Sequence, residues 1–175
     1  MAKRKNYLPK KALVTGGAGF IGASLVNILL ENGVKVRVMV MPGDPAHNLK
    51  ALRNKIEVVE GDLLNTTALN NAVKGCDTLF NLAAIYAIWL AKPGMMYDVN
   101  VNGTQNLMEA ATNAGVKRIV HTSSIAAVGS HADNSPSNED TRFNAWDDVN
   151  DYVLSKYISE LEVHRMCKEG LPAVI

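Results

Sequence analysis

The chain has 175 residues, of which 47% are hydrophobic and 20% charged, and its formal net charge is +1. This composition is typical of one globular domain with a sizeable core, and the near-zero charge argues against a nucleic-acid or membrane-surface partner. The longest apolar run, Leu82 to Ala91, is too short to cross a bilayer, and two distant cysteines form no disulfide or metal pattern, so we expect a cytoplasmic location.

Short apolar runs alternate along the chain with longer segments whose apolar residues recur at helical spacing. The predicted elements are strand 12–14, helix 20–31, strands 36–40 and 56–59, helix 66–73, strand 78–80, helix 97–113, strand 118–121, helix 147–168 and a strand starting at 173. Glycines stand after four of these helices, where a left-handed C-terminal stop is favoured. The alternation predicts an α/β fold, a doubly wound parallel sheet with helices on both faces.

Two segments fall outside this alternation. Residues 129–146 are rich in Ser, Asn, Asp and Pro, and a loop of that length is usually functional or mobile. The final residues, 173–175, indicate the first half of a sixth strand. We therefore expect residues 1–10 to form an N-terminal tail, residues 11–175 to form one domain, and a C-terminal substrate-binding region to be absent from this chain.

A glycine-rich turn follows the first strand and opens the first helix, with glycines at 16, 17, 19 and 22. A bound pyrophosphate needs backbone N–H donors at close range and a helix N-terminus behind them. A side chain at Gly16 or Gly19 would block that approach, and Gly22 allows the helix to lie close to the sheet. The motif predicts a dinucleotide-binding loop, and a glycine-rich turn without a ligand is the alternative.

Tyr152 and Lys156 stand four residues apart on the last long predicted helix, so they share one helix face. A nearby ammonium favours the phenolate, and the tyrosine could then pass a proton to or from a substrate oxygen. Such a pair is also common on helix surfaces, where the lysine head reaches water. The glycine-rich turn upstream favours the functional interpretation.

The fifth predicted strand ends in His121, Thr122, Ser123 and Ser124. Ligands of open parallel sheets bind beyond the carboxyl ends of the strands, so a serine here could donate a hydrogen bond to a substrate carbonyl. The alternative is that the serines cap a helix or a turn. His121 and His131 have no third ligand at a fitting spacing, and we predict no metal site.

Together these motifs resemble the short-chain dehydrogenase/reductase superfamily, and in particular its extended branch, the NAD-dependent epimerase/dehydratase family. The residues TGGAGFIG at 15–22 are similar to the fingerprint of that branch, and YVLSK at 152–156 is similar to its YxxxK motif. The stretches GDL, NLAA, NVNGT, TSS and GLPAVI also match in order. The resemblance runs from residue 11 to the end, and it implies a Rossmann fold with strand order 3-2-1-4-5-6 and a truncated last strand.

The resemblance also implies roles for single residues. Ser124, Tyr152 and Lys156 would form the catalytic set, with Ser123 as the alternative serine. Tyr152 would be the general acid/base, and Lys156 would bind the nicotinamide ribose. The residues implied in cofactor binding are Gly16, Gly19, Phe20, Ile21, Gly22, Asp62, Leu63, Ala83, Ala84, Asn100, Thr122, Tyr152 and Lys156.

The end of the second strand leaves the choice between NAD and NADP open. Members that use NAD carry an acidic residue there for the ribose hydroxyls, and members that use NADP carry an arginine for the 2′-phosphate. Residues 40–44 have neither at the usual position. Arg37 precedes that position inside the strand, and Asp44 follows it in the loop.

The family resemblance implies an NAD(P)-dependent oxidoreductase that moves hydride between nicotinamide and a carbonyl or secondary alcohol of a small molecule, as in its dihydroflavonol-reductase-like members. A nucleotide-sugar epimerase or dehydratase with the same Ser, Tyr and Lys is the alternative, and an epimerase would consume no cofactor. A dinucleotide-sensing regulator would not need the Tyr–Lys pair. Helices 97–113 and 147–168 are candidates for a homodimer interface.

Overall fold

A computed structural model describes residues 7–147 and 149–175. Six parallel strands form one sheet in the order β3-β2-β1-β4-β5-β6. The strands are β1 (Lys11–Thr15), β2 (Lys35–Val40), β3 (Glu57–Glu60), β4 (Thr78–Asn81), β5 (Arg118–His121) and β6 (Ala173–Val174). The predicted fold class and strand order are confirmed.

Helices cover both faces of this sheet, because alternate residues of a strand point to opposite sides. The α-helices are α1 (Phe20–Glu31), α2 (Thr66–Val73), α3 (Gly94–Tyr97), α4 (Thr104–Asn113) and α5 (Asp151–Lys168). Ala12 and Val14 of β1 pack with α1, whereas Leu13 packs with α2, α4 and α5. Within the described ranges, no helix combines the length and apolar character needed to cross a membrane.

Three short helical segments complete the fold. Two are 3₁₀ helices, His47–Lys55 and Ile125–Ala127, and the third is a π-helical segment, Asp98–Gly103, between α3 and α4. The expected single helix over 97–113 is therefore wrong in detail, because it begins earlier and contains a π-helical segment. The 3₁₀ helix at 47–55 has few apolar residues, and its sequence gave no periodic signal.

The start of α5 also differs from the prediction of a helix from residue 147. The helix begins at Asp151 because the Asn150 side chain accepts a hydrogen bond from the Val153 N–H and so caps the first turn. Asp148 lies outside the described residues. The preceding loop is anchored to α5 through Phe143, whose ring stacks on Tyr157 with centroids 4.2 Å apart.

Candidate active site

The glycine-rich turn between β1 and α1 depends on glycine for its own packing. Gly16 has φ +67°, and a Cβ there would lie 2.7 Å from the Leu82 carbonyl carbon and 2.8 Å from the Ala83 nitrogen. A Cβ at Gly22 would overlap the Gly16 carbonyl oxygen. These two glycines therefore let the turn, the start of α1 and the segment after β4 approach closely, which adds a structural reason to the predicted one.

Gly19 differs, because a Cβ there would meet only the Gly16 carbonyl oxygen, at 3.2 Å. It is the N-cap residue of α1 and supplies no side-chain cap, and the first turn carries no acidic residue. The first N–H groups of a helix have no partner within the helix, and here the side chains of Phe20 and Ile21 are largely exposed beside them. Open space beside unpaired N–H donors fits a dinucleotide pyrophosphate.

Two contacts of this turn were not predicted. A Cβ at Gly17 would lie 2.5 Å from Cγ1 of Val38 on β2, so glycine is needed there for packing against the sheet. The Asn48 side chain donates a hydrogen bond of 2.8 Å to the Ala18 carbonyl. Both contacts join segments distant in sequence, and no local pattern indicated them.

A buried row of polar side chains links the carboxyl ends of β1, β4 and β5. The Thr15 hydroxyl donates to Asn81 Oδ1 at 2.7 Å, and Asn81 Nδ2 lies 3.1 Å from His121 Nδ1. Because Asn81 uses its oxygen for Thr15, its amide nitrogen donates to His121, and the imidazole proton is then on Nε2. This row was not predicted, although Asn81 belongs to one of the matching stretches.

His121 is held in its neutral form. Burial lowers the pKa of His121 to about 3, and the nearby ammonium of Lys156 also lowers it. The described residues contain no cluster of three or more His, Cys, Asp or Glu side chains that could hold a metal ion. The imidazole therefore acts here as a packed, uncharged part of the sheet edge.

Lys156 reaches from α5 to the end of β5. Its Nζ donates a 2.9 Å hydrogen bond to the Thr122 carbonyl, and the residue is only 4% exposed. Burial lowers the pKa of Lys156, and the carboxylate of Glu160 opposes that shift. The alternative of a surface pair with its lysine head in water is wrong for Lys156.

Tyr152 lies one helical turn before Lys156 on the same face of α5. Its ring packs edge-on against Tyr86, with centroids 4.9 Å apart and an interplanar angle of 90°. Tyr86 itself is largely exposed and follows β4. The geometry thus places one aromatic side chain of the β4 end against the predicted acid/base.

The two serines after β5 make different contacts. Ser124 accepts a 3.1 Å hydrogen bond from the Ala126 N–H and caps the short 3₁₀ helix, as the capping alternative predicted. Accepting that bond leaves its hydroxyl proton available for another acceptor. Ser123 instead donates its hydroxyl proton to the carboxylate of Glu160 on α5. Thr122, between His121 and these serines, is exposed.

The other predicted cofactor residues lie around the same edge of the sheet. Asp62 Oδ1 accepts a 2.9 Å bond from the Leu64 N–H, whereas the Leu63 side chain is buried in the core. Ala83 is half-buried and Ala84 exposed in the segment after β4. A ligand at this edge would therefore meet Asp62 and Ala84 before it met the side chain of Leu63.

Asn100 lies in the π-helical segment and is buried, with its amide fully engaged. Oδ1 accepts a 2.7 Å bond from the Ile85 N–H, and Nδ2 donates to the Ile85 carbonyl and to Ser155 Oγ, both at 3.0 Å. Asn100 therefore ties the segment after β4 to α5. These contacts fix the position of that segment relative to α5.

Arg37 is not available to a 2′-phosphate. Its Nη1 donates to the Ala72 carbonyl at 2.6 Å and to the Lys74 carbonyl at 2.8 Å, at the C-terminal end of α2. Its Nη2 pairs with Glu57 at 2.8 Å. Asp44 Oδ1 accepts the Ala46 N–H at 2.8 Å within the loop after β2. Arg37, one of the two charged residues flanking the end of β2, therefore stabilises the fold by joining β2 to α2 and β3.

Comparison with known proteins agrees with this geometry. The model of the NAD dependent epimerase/dehydratase family matches residues 12–175, and the chain belongs to this family. The chain is 39% identical over 162 residues to a Synechocystis sp. protein provisionally named dihydroflavonol 4-reductase, covering 93% of this chain and 46% of that protein. The resemblance predicted from the motifs, and its nicotinamide cofactor, are confirmed at the level of the family.

Two solved structures show the same fold. A short-chain dehydrogenase/reductase superfamily protein from Agrobacterium tumefaciens with bound NAD has 30% identity and a TM-score of 0.76, covering 94% of this chain and 48% of that one. UDP-glucuronic acid 4-epimerase from Bacillus cereus in complex with NAD has 28% identity and a TM-score of 0.80, covering 94% and 55%. The chain spans about half the length of these relatives.

Proposed function

We propose that the whole protein is an NAD(P)-dependent oxidoreductase acting on a carbonyl or secondary alcohol of a small molecule. The contact that carries this proposal is the 2.9 Å bond from buried Lys156 to the Thr122 carbonyl. It brings the Tyr–Lys face of α5 to the carboxyl end of β5, where parallel sheets bind ligands. The unpaired N–H groups at the start of α1 lie at the same edge of the sheet.

Each residue has a separate task in this proposal. The turn at Gly16 to Gly22 would hold the pyrophosphate, and Lys156 would hold the nicotinamide ribose. The bound nicotinamide would supply or accept the hydride. Ser124 would donate a hydrogen bond to the substrate oxygen and fix its position, while the Tyr152 hydroxyl would give its proton to that oxygen or take it back.

The proposal is tested by following the absorbance of NADH and NADPH as they are oxidised, with a panel of simple ketones and aldehydes as probes. Lys156→Met keeps the length of a buried chain but removes the ammonium, and we expect turnover to fall by roughly 10²-fold or more. Lys168→Met, at the other end of α5, is the matched control and should retain turnover. Equal turnover of the two variants would remove Lys156 from the site.

A second candidate is a nucleotide-sugar epimerase or dehydratase, which the likeness to the Bacillus cereus epimerase favours. Both candidates use the same serine, tyrosine and lysine, so the site geometry does not separate them. Incubation with UDP-glucuronic acid and a trace of NAD does separate them. Conversion of the sugar without net formation of NADH would establish the epimerase and refute the reductase.

We also propose that the whole protein forms a homodimer through two helical segments. They are residues 97–113, which end in α4, and residues 147–168, which contain α5. These two helices pack against each other, and α5 presents Leu161, which is 48% exposed. Leu161→Lys should convert a dimer into a monomer in sedimentation velocity. Ile28→Lys, on α1, is 54% exposed and serves as the control. A sedimentation coefficient unchanged by Leu161→Lys would refute this interface.

A reducing compartment is part of the same proposal. Cys76 and Cys167 are both free, and Cys76 is buried. Persistent thiols of this kind are typical of the cytoplasm. Fractionation of cells that express the whole protein, with recovery in the cytoplasmic fraction, is the expected result.

A further inference from the structure

The end of β5 is tied to α5 at two successive residues. The Thr122 carbonyl accepts a hydrogen bond from Lys156, and the Ser123 hydroxyl donates one to Glu160. Lys156 and Glu160 stand one turn apart, so both project from the same face of α5. We name these two contacts the β5–α5 clamp.

The clamp separates the roles of the two serines. The Ser123 hydroxyl donates a hydrogen bond to the Glu160 carboxylate, whereas Ser124 Oγ accepts one from the Ala126 N–H. Ser124 has an extended backbone, with φ −153° and ψ 149°, and successive side chains of extended backbone point to opposite sides. With Ser123 directed to α5, Ser124 is directed away from it.

The Glu160 carboxylate also has a favourable electrostatic interaction with the Lys156 ammonium. The Lys156 ammonium is buried, and the Glu160 carboxylate is the negative charge that offsets the cost of that burial. Neutral His121 on β5 also faces Lys156, and Tyr152 precedes Lys156 by one turn on α5. The second oxygen of Glu160 lies 3.7 Å from His164 Nε2.

We infer that Glu160 is a positioning residue for the proposed reaction: its hydrogen bond holds Ser123 on α5, so that Ser124 is the serine that meets the substrate. The Glu160 carboxylate, one helical turn from Lys156, also favours the protonated form of that lysine. The inference rests on the proposed function. Glu160 lies outside the Ser–Tyr–Lys set, and its bond to Ser123 is the physical reason for choosing Ser124 over Ser123.

The test uses the whole protein with a carbonyl probe that the wild type reduces, and it follows kcat and KM across pH. Glu160→Gln keeps a hydrogen-bond acceptor but removes the charge, so kcat should fall about tenfold with little change in KM. The alkaline limb of the kcat profile should move to lower pH, because Lys156 then loses its proton more easily. The kcat of Glu160→Ala should fall further than that of Glu160→Gln, because alanine cannot accept the Ser123 hydrogen bond.

Glu162→Gln is the matched control, since Glu162 pairs with Arg165 on the same helix and makes no contact in the clamp. Urea unfolding of each variant reports whether the fold is retained. A parallel pair compares the serines, and Ser124→Ala should lower kcat at least about tenfold more than Ser123→Ala does.

The outcomes distinguish this inference from the proposed function. If Tyr152→Phe keeps full turnover, the proposed function itself fails. If Tyr152→Phe is inactive but both Glu160 variants match Glu162→Gln in kcat and pH profile, only the role of Glu160 is refuted. Loss of turnover without a shift of the alkaline limb, or equal losses from the two serine variants, would also overturn it.

Discussion

The two sides of the candidate site are built in opposite ways. On the β1–α1 side, the important feature is the lack of side chains: Gly16 and Gly22 allow backbone segments to touch, and Gly19 leaves open space. On the β5–α5 side, polar side chains are buried and hydrogen-bonded, as Lys156 is to the Thr122 carbonyl and His121 Nδ1 is to Asn81. One side exposes backbone N–H groups, and the other buries polar side chains.

We therefore expect cofactor binding and chemistry to be separable in this fold at residues other than Lys156, which is proposed to serve both. The glycine turn is a local structure formed by residues close in sequence, whereas the β5–α5 side is assembled from three strands and a helix. Substitutions on the first side should change dinucleotide affinity, and substitutions on the second should change turnover or stability. This division between the two sides can be tested by substitution, most strongly at Tyr152.

Tyr152→Phe should lower turnover of the whole protein by roughly 10²-fold or more, because it removes the proton donor and keeps the ring that packs on Tyr86. Dinucleotide affinity, measured by calorimetric titration of the 175-residue chain, should stay within about twofold of the unchanged protein. A large loss of affinity would show that the two sides are not separable.

His121→Gln should change how the free energy of unfolding depends on pH. His121 has a pKa of about 3 in the folded protein and near 6.5 when unfolded, so the unfolded state binds more protons between these values. Stability from this group is full above pH 6.5 and is lost as pH falls toward 3. From pH 7 to 5 the loss should be about 2 kcal/mol.

Urea unfolding at several pH values between 5 and 7 measures this loss. Between pH 7 and 5, the free energy of unfolding of His121→Gln should fall less than that of the wild type, by that amount. The free energy of unfolding of His131→Gln, changed at an exposed position, should depend on pH as that of the wild type does. Parallel curves for all three proteins would mean that His121 does not resist protonation, and that the buried row at the strand ends is less rigid than its contacts indicate.

Gly19→Val should weaken NADH binding to the 175-residue chain by more than tenfold, or above about 1.4 kcal/mol, because a branched side chain would fill the space beside the α1 N-terminus. The fold should persist, since only one backbone oxygen lies near that position. Gly94→Ala, with nothing within 4 Å of its Cβ, is the control. Unchanged affinity in a folded Gly19→Val protein would contradict the pyrophosphate assignment.

Arg37→Met should lower the stability of the fold and leave cofactor binding at the site nearly unchanged. Because the guanidinium is committed to carbonyls of α2 and to Glu57, its loss should lower stability by about 1–3 kcal/mol but leave the ratio of NADH to NADPH affinity within about twofold. Thermal unfolding and titration with both cofactors measure the two quantities. A selective loss of NADPH binding would show that Arg37 reaches the 2′-phosphate.

The same division explains what the sequence could predict. The glycine turn and the Tyr–Lys spacing are local patterns, so the sequence located both. The alternation of elements predicted the fold class, and the family resemblance predicted the strand order. The Thr15–Asn81 bond joins residues 66 apart, and the Ser123–Glu160 bond joins residues 37 apart. Neither contact leaves a periodic signal in the sequence. The Thr15–Asn81 bond depends on the register of two strands, and the Ser123–Glu160 bond depends on how α5 packs against β5.

The predicted first residue of α5 was wrong for a related reason. The start of α5 is set by the capping of one turn by Asn150, and Asp147 also looks like a favourable first residue. The burial of Lys156 could not be predicted either, because the helix spacing is the same for a lysine that faces water and for one that faces β5.

The π-helical segment between α3 and α4 makes the number of residues there important as well as their identity. Each residue of an α-helix turns the chain by about 100°, and a π-helical turn accommodates one residue more than an α-helical turn. If residues 98–103 were wound as an α-helix instead, everything before them would be rotated by about 100° relative to α4. Asn100 would then leave Ile85, and the Tyr97 hydroxyl would leave Asp151, which it now meets at 2.9 Å. The π-helical winding thus keeps Tyr97 and Asn100 in the rotational phase that joins the β4 end to the helix carrying Tyr152.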